Sequence, residues 1–359
     1  MSPFPRPDYQ PLKRYHFDRT PVELDLSDNT NHWGAHPAAL DVLRQADNNA
    51  LARYPYLYAD NLREAAAAHL GVPEECIATG CGSNDILDCT YRACAGDPDD
   101  LVAVAVPTFP MSLTWARMNG MSARGVPWED ALADPERLLE DRPALVYVCR
   151  PNNPTGHVVP TEWVEALLSA AGGDGPLVIV DEAYVDFGGD SFARRAAERP
   201  RMLVSRTLSK AFGLAGLRVA YGVGTPETTL EIEKARGPYK VNRVAAEAGA
   251  AALADTEGWV TRTVADCVAC RERAEVALTE RHLEPLPSRA NFIMFRAPTG
   301  DGRADALGIR GHGVAVRPFV EQYPGGTDAL RVTVAPWPLM ERFLGALDAY
   351  LGQLEAQSS

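Results

Sequence analysis

Five strand-sized runs of largely apolar residues, each handed at once to a polar or Gly/Pro-rich turn, constrain this chain more than anything else in it. They are residues 101–106, 144–149, 177–180, 201–205 and 219–223. Runs this short and this apolar are buried on both faces, and strands of that kind belong to parallel βαβ units. Helical stretches lie between and before them: 61–70, an alanine-rich run ending at Gly71, then 85–95 and 163–171. The alternation predicts an α/β fold with a sheet covered by helices on both sides. The polar motifs all follow strand C-termini, and that is the edge of an open α/β sheet where ligands bind.

After about residue 240 the rhythm changes. Residues 244–254 and 257–282 read as helices, the second long enough to bridge two domains. Strands at 291–295, 314–316 and 330–334 and a helix over about 338–354 follow, and they predict a smaller α+β domain. The first thirty residues are irregular and carry Phe4, Tyr9, Tyr15 and Phe17, as an arm lying over something would. The expected division is 1–45 as the arm and part of the small domain, 46–240 as the large domain, and 241–359 as the small C-terminal domain. A length of 359 residues suits two domains. The net charge of −13 argues against nucleic acid or an anionic membrane as partner. It leaves room for a small anion held by a few local arginines. Met1-Ser-Pro-Phe-Pro5 lacks the basic and apolar regions of a secretory leader. With seven cysteines, an odd number, reduced thiols in a cytoplasm are expected.

The motifs have chemical and bland readings. Lys210, after strand 201–205 and among Thr207, Ser209 and Gly213, could form a Schiff base with a carbonyl cofactor. A lone Ser-Lys is otherwise a solvated surface lysine. Asp181, at the end of strand 177–180, could pair with a cationic ring nitrogen, and Tyr184 could bond a phenolate oxygen; alternatively Asp181 caps a helix. Asn153, in Asn152-Asn-Pro-Thr-Gly156, could donate to a ring oxygen or simply belong to a turn. Gly82, Ser83 and Asn84 open a helix, either as an anion site or as an N-cap. Arg218, eight residues after Lys210, could clamp a phosphate or sit on the surface.

Singly these are weak, but their order along the chain is specific. Gly-Ser before a helix, then Asn-Asn-Pro-Thr-Gly, Asp-Glu-Ala-Tyr and Thr-Leu-Ser-Lys-x7-Arg together resemble the fold-type I pyridoxal-phosphate enzymes, within them the class I/II aminotransferases. The histidinol-phosphate aminotransferase branch is most similar. Asn29-Thr-Asn31-His-Trp-Gly34, Arg53-Tyr54-Pro55, Pro107-Thr-Phe109, Val314-Ala-Val-Arg317 and Leu330-Arg331-Val-Thr-Val add to the likeness, which spans roughly 24–350. It implies a large domain with a mostly parallel seven-stranded sheet between helices, and pyridoxal 5′-phosphate as cofactor.

The resemblance also implies roles. Lys210 would carry the cofactor and move the proton, and Asp181 would keep the ring nitrogen protonated. Tyr184 and Asn153 would bond the ring 3-oxygen, and Phe109 would stack on the ring. Gly82, Ser83, Asn84, Thr207, Ser209 and Arg218 would hold the phosphate. Tyr54 would reach the phosphate in a neighbouring subunit, so a homodimer is expected. Arg317, Arg331, Tyr9 and Asn31 would face the substrate. The expected reaction moves an amino group between histidinol phosphate and 2-oxoglutarate. An aromatic or other α-amino-acid aminotransferase, a threonine-phosphate decarboxylase-like enzyme and a non-catalytic cofactor-binding regulator are the alternatives. Thr30 and His32 stand where the family has Glu and Pro, Phe109 where it has Tyr, and Ala335-Pro-Trp-Pro338 where it has a Gly-containing turn. All four bear on substrate choice. Cys267 and Cys270 lie in a helical stretch and read as packing, and the histidines show no metal-ligand spacing, so no metal is expected.

Overall fold

A computed structural model describes residues 4–6, 9–14, 20–97 and 99–358; Tyr15 and Phe17 of the arm lie outside them. Its strands are β1 (Leu24–Asp25), β2 (Ile77–Gly80), β3 (Leu101–Val106), β4 (Ser122–Pro127), β5 (Leu145–Cys149), β6 (Leu177–Asp181), β7 (Met202–Thr207), β8 (Ala220–Val223), β9 (Phe292–Arg296), β10 (Val314–Ala315), β11 (Arg317–Tyr323) and β12 (Thr327–Thr333). Seven of them form one sheet in the order β2-β8-β7-β6-β5-β3-β4. Every pair from β4 to β7 is parallel, whereas β8 runs antiparallel to both β7 and β2. The fold is therefore the α/β, mostly parallel seven-stranded arrangement of fold-type I, with β8 alone reversed.

Alternation along the central strands shows why the runs are apolar throughout. Val146 and Val148 of β5 join the core that holds Trp163, Val164 and Leu167 of helix Thr161–Ala171. Leu145, Tyr147 and Cys149 join the opposite core, with Ile86 and Leu87 of helix Ser83–Cys94 and Trp115 of helix Met111–Met118. Neither face meets water, so neither needs polar residues. The outermost strands, β4 and β2, are harder to read in the sequence. β4 is Ser-Ala-Arg-Gly-Val-Pro, mostly solvent-facing, and β2 is four residues long.

The single reversal has a functional consequence. The C-terminal ends of β2, β3, β5, β6 and β7 share one edge of the sheet. Because β8 is reversed, its N-terminal end lies at that same edge and brings Arg218 with it. A parallel β8 would carry the arginine to the far side.

A second sheet, β11-β12-β9, is antiparallel, and the short pair β1-β10 ties the N-terminal segment to that part of the chain. Helix Arg243–Ala254 packs on helices Asp60–Leu70 and Pro37–Gln45, beside the large sheet. Helix Trp259–Glu280, 22 residues and so about 33 Å long, touches both the turn after β6 and β9. Its buried Arg271 donates to the carbonyls of Phe187 (3.3 Å) and Ala290 (2.9 Å).

Between β1 and helix Pro37–Gln45 the chain forms a strap. Asn29 N–H donates to Thr333 Oγ1 (2.9 Å) at one end, and His36 N–H donates to the Phe212 carbonyl (3.1 Å) at the other. The strap approaches the loop after Lys210 so closely that Gly213, at φ +69°, has no room for a Cβ, which would collide with the Gly34 carbonyl. Gly213→Ala therefore combines left-handed strain with a backbone clash. It should destabilise the protein by roughly 2 kcal/mol or more, read as a lowered urea midpoint; an unchanged midpoint would show that the strap can retreat.

Candidate active site

The loops leaving the shared sheet edge close around a cavity of about 370 Å³. The strap contributes Ser27, Asp28, Asn29 and Thr30. The large sheet's edge contributes Ser83, Asn84, Phe109, Cys149, Asn153, Asp181, Tyr184, Thr207, Ser209, Lys210 and Arg218. The small sheet contributes Arg317, Phe319 and Arg331. Most residues singled out in the sequence thus converge on one space, although they span 83–331 of the chain.

Lys210 forms one wall. Its ammonium donates to the carbonyls of Asp28 and Asn29, each at 3.2 Å. Burial pushes its pKa down to about 8, and the charges of Arg331 and Arg218 push the same way, against the Asp28 carboxylate. The amine is therefore partly neutral near physiological pH, as a nucleophile must be. The loop carrying it is pinned from behind by Asn31, whose Nδ2 donates to the carbonyls of Lys210 and Ala211, both at 3.0 Å.

Asp181 forms the floor, at the last position of β6. It is 4% exposed, and burial pushes its carboxyl up to about 6, opposed by hydrogen bonds from Tyr147 and the Ala183 N–H and reinforced by the charge of Glu182. Tyr147 Oη donates to Oδ2 at 2.7 Å, while Oδ1 is buried with no hydrogen-bond partner. Asp181 lines the cavity, and a buried carboxylate oxygen without a partner leaves the group able to take a donor from outside the chain. Tyr184, three residues on, accepts a hydrogen bond from Asn29 Nδ2 at 2.9 Å, and burial pushes its phenol up, so it remains a neutral donor.

One corner suits an anion. Helix Ser83–Cys94 begins at Gly82 with no side-chain cap, which leaves its first N–H groups open toward the cavity. Arg218 lies against it, and its Nη1 donates to the Ala215 carbonyl (3.1 Å) and Ser209 Oγ (3.5 Å). Gly82 is at φ +77°, and a Cβ there would collide with the Arg218 guanidinium. Only glycine lets helix end and cation come together.

Across the cavity, Arg331 Nη1 donates to Asn153 Oδ1 and Nη2 to the Ser27 carbonyl (3.0 Å). Its guanidinium carbon lies 5.0 Å from the Phe292 ring centroid and 5.2 Å from that of Phe319. Arg317 is its cross-strand neighbour on β11.

Three expected residues lie elsewhere. Tyr54 is 82% exposed, its ring 5.0 Å from that of Tyr239, away from the cavity. Tyr9 is on the surface under Arg6. Asn31 is behind the Lys210 loop, with its amide engaged there. Conversely, sequence reasoning missed Asn29, Phe319 and Tyr147. Asn29 was within reach, since its segment was already singled out and a left-handed φ of +59° is one that asparagine tolerates. Tyr147 gave no signal, being an aromatic in an apolar strand.

Pyridoxal phosphate fits this donor set. An open carboxylate oxygen, a lysine with depressed basicity and a glycine-cleared anion corner surround one ring-sized space. The family model for aminotransferase class I and II matches residues 21–347. Histidinol-phosphate aminotransferase 2 of Ralstonia nicotianae is 37% identical over 346 residues, covering 93% of this chain and 90% of its own. Histidinol-phosphate aminotransferase 2 of Nitrosococcus oceani is 35% identical over 357 residues, covering 96% of each. Among solved structures, histidinol-phosphate aminotransferase from Sinorhizobium meliloti, in complex with pyridoxal-5′-phosphate, has a TM-score of 0.81 at 27% identity, covering 93% of this chain and 92% of that one.

The depressed Lys210 has a stability consequence. Between about pH 8 and the ordinary lysine value the unfolded chain binds more protons than the folded one, so Lys210 costs stability below pH 8 and the cost fades as pH rises. Lys210→Met should therefore stabilise the cofactor-free protein at pH 7 by about 1–2 kcal/mol, cavity water limiting the gain, with the difference shrinking toward pH 10. Urea unfolding at the two pH values measures it; a variant no more stable than wild type at pH 7 would contradict it.

Proposed function

The chain belongs to the aminotransferase class I and II family, and from that footing we propose that it exchanges an amino group between histidinol phosphate and 2-oxoglutarate. That it is a pyridoxal-phosphate-dependent aminotransferase follows from the family match and its relatives. The observation that carries the finer reading is the pair Arg317 and Arg331, directly opposite one another on β11 and β12 and both on the cavity wall. Like charges facing across neighbouring strands are unfavourable by themselves and favourable around an anion. The corner at Arg218 serves the cofactor phosphate, so the Arg317–Arg331 pair suits a second phosphate, on the substrate.

When bound, the cofactor supplies a carbonyl that takes up the substrate amine and a ring that draws electron density from its α-carbon. The chain's own part is to hold and to move protons. The N–H groups of Ser83 and Asn84, with Thr207, Ser209 and Arg218, hold the phosphate. Asp181 would pair with the ring nitrogen, and the opposite charge there would draw its pKa back down. Tyr184 Oη and the Asn153 amide would hold the ring oxygen, and Phe109 would stack on the ring. Lys210, with Nζ 5.7 Å from the Tyr184 ring centroid, would take the proton from the substrate α-carbon and hold it for return. Its low basicity lets it act as both base and acid near neutral pH.

Arg53 and Tyr54, exposed in a single chain, fit a homodimer in which Tyr54 reaches the neighbouring cofactor phosphate. Tyr9 would close over the substrate from the arm. No helix among the described residues is long and apolar enough to cross a membrane; a biosynthetic role in the cytoplasm is part of the same proposal.

Half-reactions decide the amino donor. Histidinol phosphate should remove the visible absorption of the bound cofactor at least about tenfold more efficiently than phenylalanine. Arg317→Ala should lower kcat/KM for histidinol phosphate by roughly 10- to 100-fold, the worth of one charge-assisted hydrogen bond, and change phenylalanine little. Phenylalanine reacting as fast as histidinol phosphate would overturn the substrate.

A further inference from the structure

The carboxylate of Asp181 is held by groups that the proposed chemistry does not use. The β5–β6 register sets Cys149 beside Asp181 and Tyr147 beside Ile179. Tyr147 therefore stands two residues back on the same face as Cys149, and its ring reaches forward along the sheet to Oδ2 at 2.7 Å. It is 1% exposed and shares a core with Leu145, Ile179, Tyr91 and Trp115. The titratable groups around Asp181 are Tyr91 from helix Ser83–Cys94, Tyr147 and Cys149 from β5, and Glu182 and Tyr184 after β6. Burial keeps the three phenols and the thiol neutral, and the neighbouring charge of Glu182 is of the same sign; Lys210, Arg218, Arg317 and Arg331 line the same cavity. Among those side chains Tyr147 is the one that donates to Asp181.

We propose that Tyr147 is a positioning residue for the reaction: by giving its hydroxyl hydrogen to Oδ2 it fixes the Asp181 carboxylate with Oδ1 toward the cofactor's ring nitrogen and keeps it ionised. The inference rests on the reading of Asp181 as the partner of that nitrogen. A bond to one oxygen sets the rotation of the carboxyl plane and so the direction of the other oxygen. A donor also favours the charged form over the protonated one, which matters for an acid that burial has already raised to about 6. Without the phenol, a neutral carboxylic acid would face the ring nitrogen through much of the physiological range and could not balance its charge.

Tyr147→Phe removes one oxygen and keeps the ring. Titrating cofactor-free protein with pyridoxal phosphate from pH 5.5 to 9 should show the acid-side midpoint of binding displaced upward by about one unit, with Kd at pH 7 raised about tenfold. In single turnover kcat should fall more than KM rises. In an Asp181→Asn background the Phe change should add nothing, as expected for residues acting through one another. A Phe variant with the wild-type midpoint and Kd, beside an Asp181→Asn variant that binds poorly, would overturn the role of Tyr147 and leave Asp181's role standing. Asp181→Asn binding as wild type would remove the reading of Asp181 and this inference with it. A uniform loss of affinity at every pH, or an undiminished loss in the Asn background, would mark Tyr147 as packing only and overturn the proposal. Should the Phe variant fail to fold, fluorotyrosine placed at 147 alone strengthens the donor without changing its shape. Its midpoint should then move down, and an unmoved midpoint would overturn the role.

Discussion

The site depends on a carboxylate kept in an apolar sheet without a cation beside it. Asp181 is answered by the Tyr147 phenol and a backbone amide, and a charge so placed is expensive unless something completes it. Asp181 lines the cavity with one buried oxygen left without a partner in the chain, which leaves completion open to a ligand. Lys210 is the complementary case. It is an amine in the same space, its basicity lowered by burial first and by arginines second. The acid and the amine line one cavity. The ammonium is taken by the strap carbonyls of Asp28 and Asn29.

Asn29 gives the strap its importance. Its N–H is fixed to Thr333, its amide donates to Tyr184, and its carbonyl accepts from both Lys210 and Asn291. One residue thereby joins the β12 end of the small sheet, the turn after β6 and the loop carrying the reactive amine. Movement of the small sheet relative to the large one that displaced this residue would alter the bonds of Tyr184 and Lys210 together. Thr30, where the resembled family carries glutamate, bonds back to Asp28 through both its N–H and its hydroxyl. The substitution thus shortens the strap's reach into the cavity and braces it locally.

What the residues revealed in advance follows from how each is encoded. Strands buried on both faces write themselves as apolar runs, so β3, β5, β6 and β7 were legible to within a residue or two. β4 and β2 were not: β4 has a solvent face and carries no such run, and β2, though buried, is only four residues long. The motifs at strand ends were legible because lysine, aspartate and asparagine after an apolar strand are unusual in their order. Strand direction was not: nothing in Ala-Tyr-Gly-Val says that β8 runs backward, yet that reversal delivers Arg218. Tyr147 was silent for a related reason, since a phenol that packs its ring in a core and donates its hydroxyl looks like any other apolar position. Tyr54 and Tyr9 lie off the cavity of a single chain, and their proposed roles need a second copy or a closed arm.

Charge shows the same separation of global and local. The chain carries −13 overall, but fields of exposed charges fade within about 10 Å at ordinary ionic strength. The cavity therefore responds to what lines it, and Arg218, Arg317 and Arg331 all do. Two of them also repel the proton of Lys210. Anions that neutralise these arginines on binding remove that repulsion and would, acting alone, restore the amine's basicity just when it must give up a proton. Burial is the larger cause, however, and a ligand that fills the cavity deepens it by displacing water. Desolvation, which anions do not cancel, is thus what would keep the basicity of Lys210 low with the site filled.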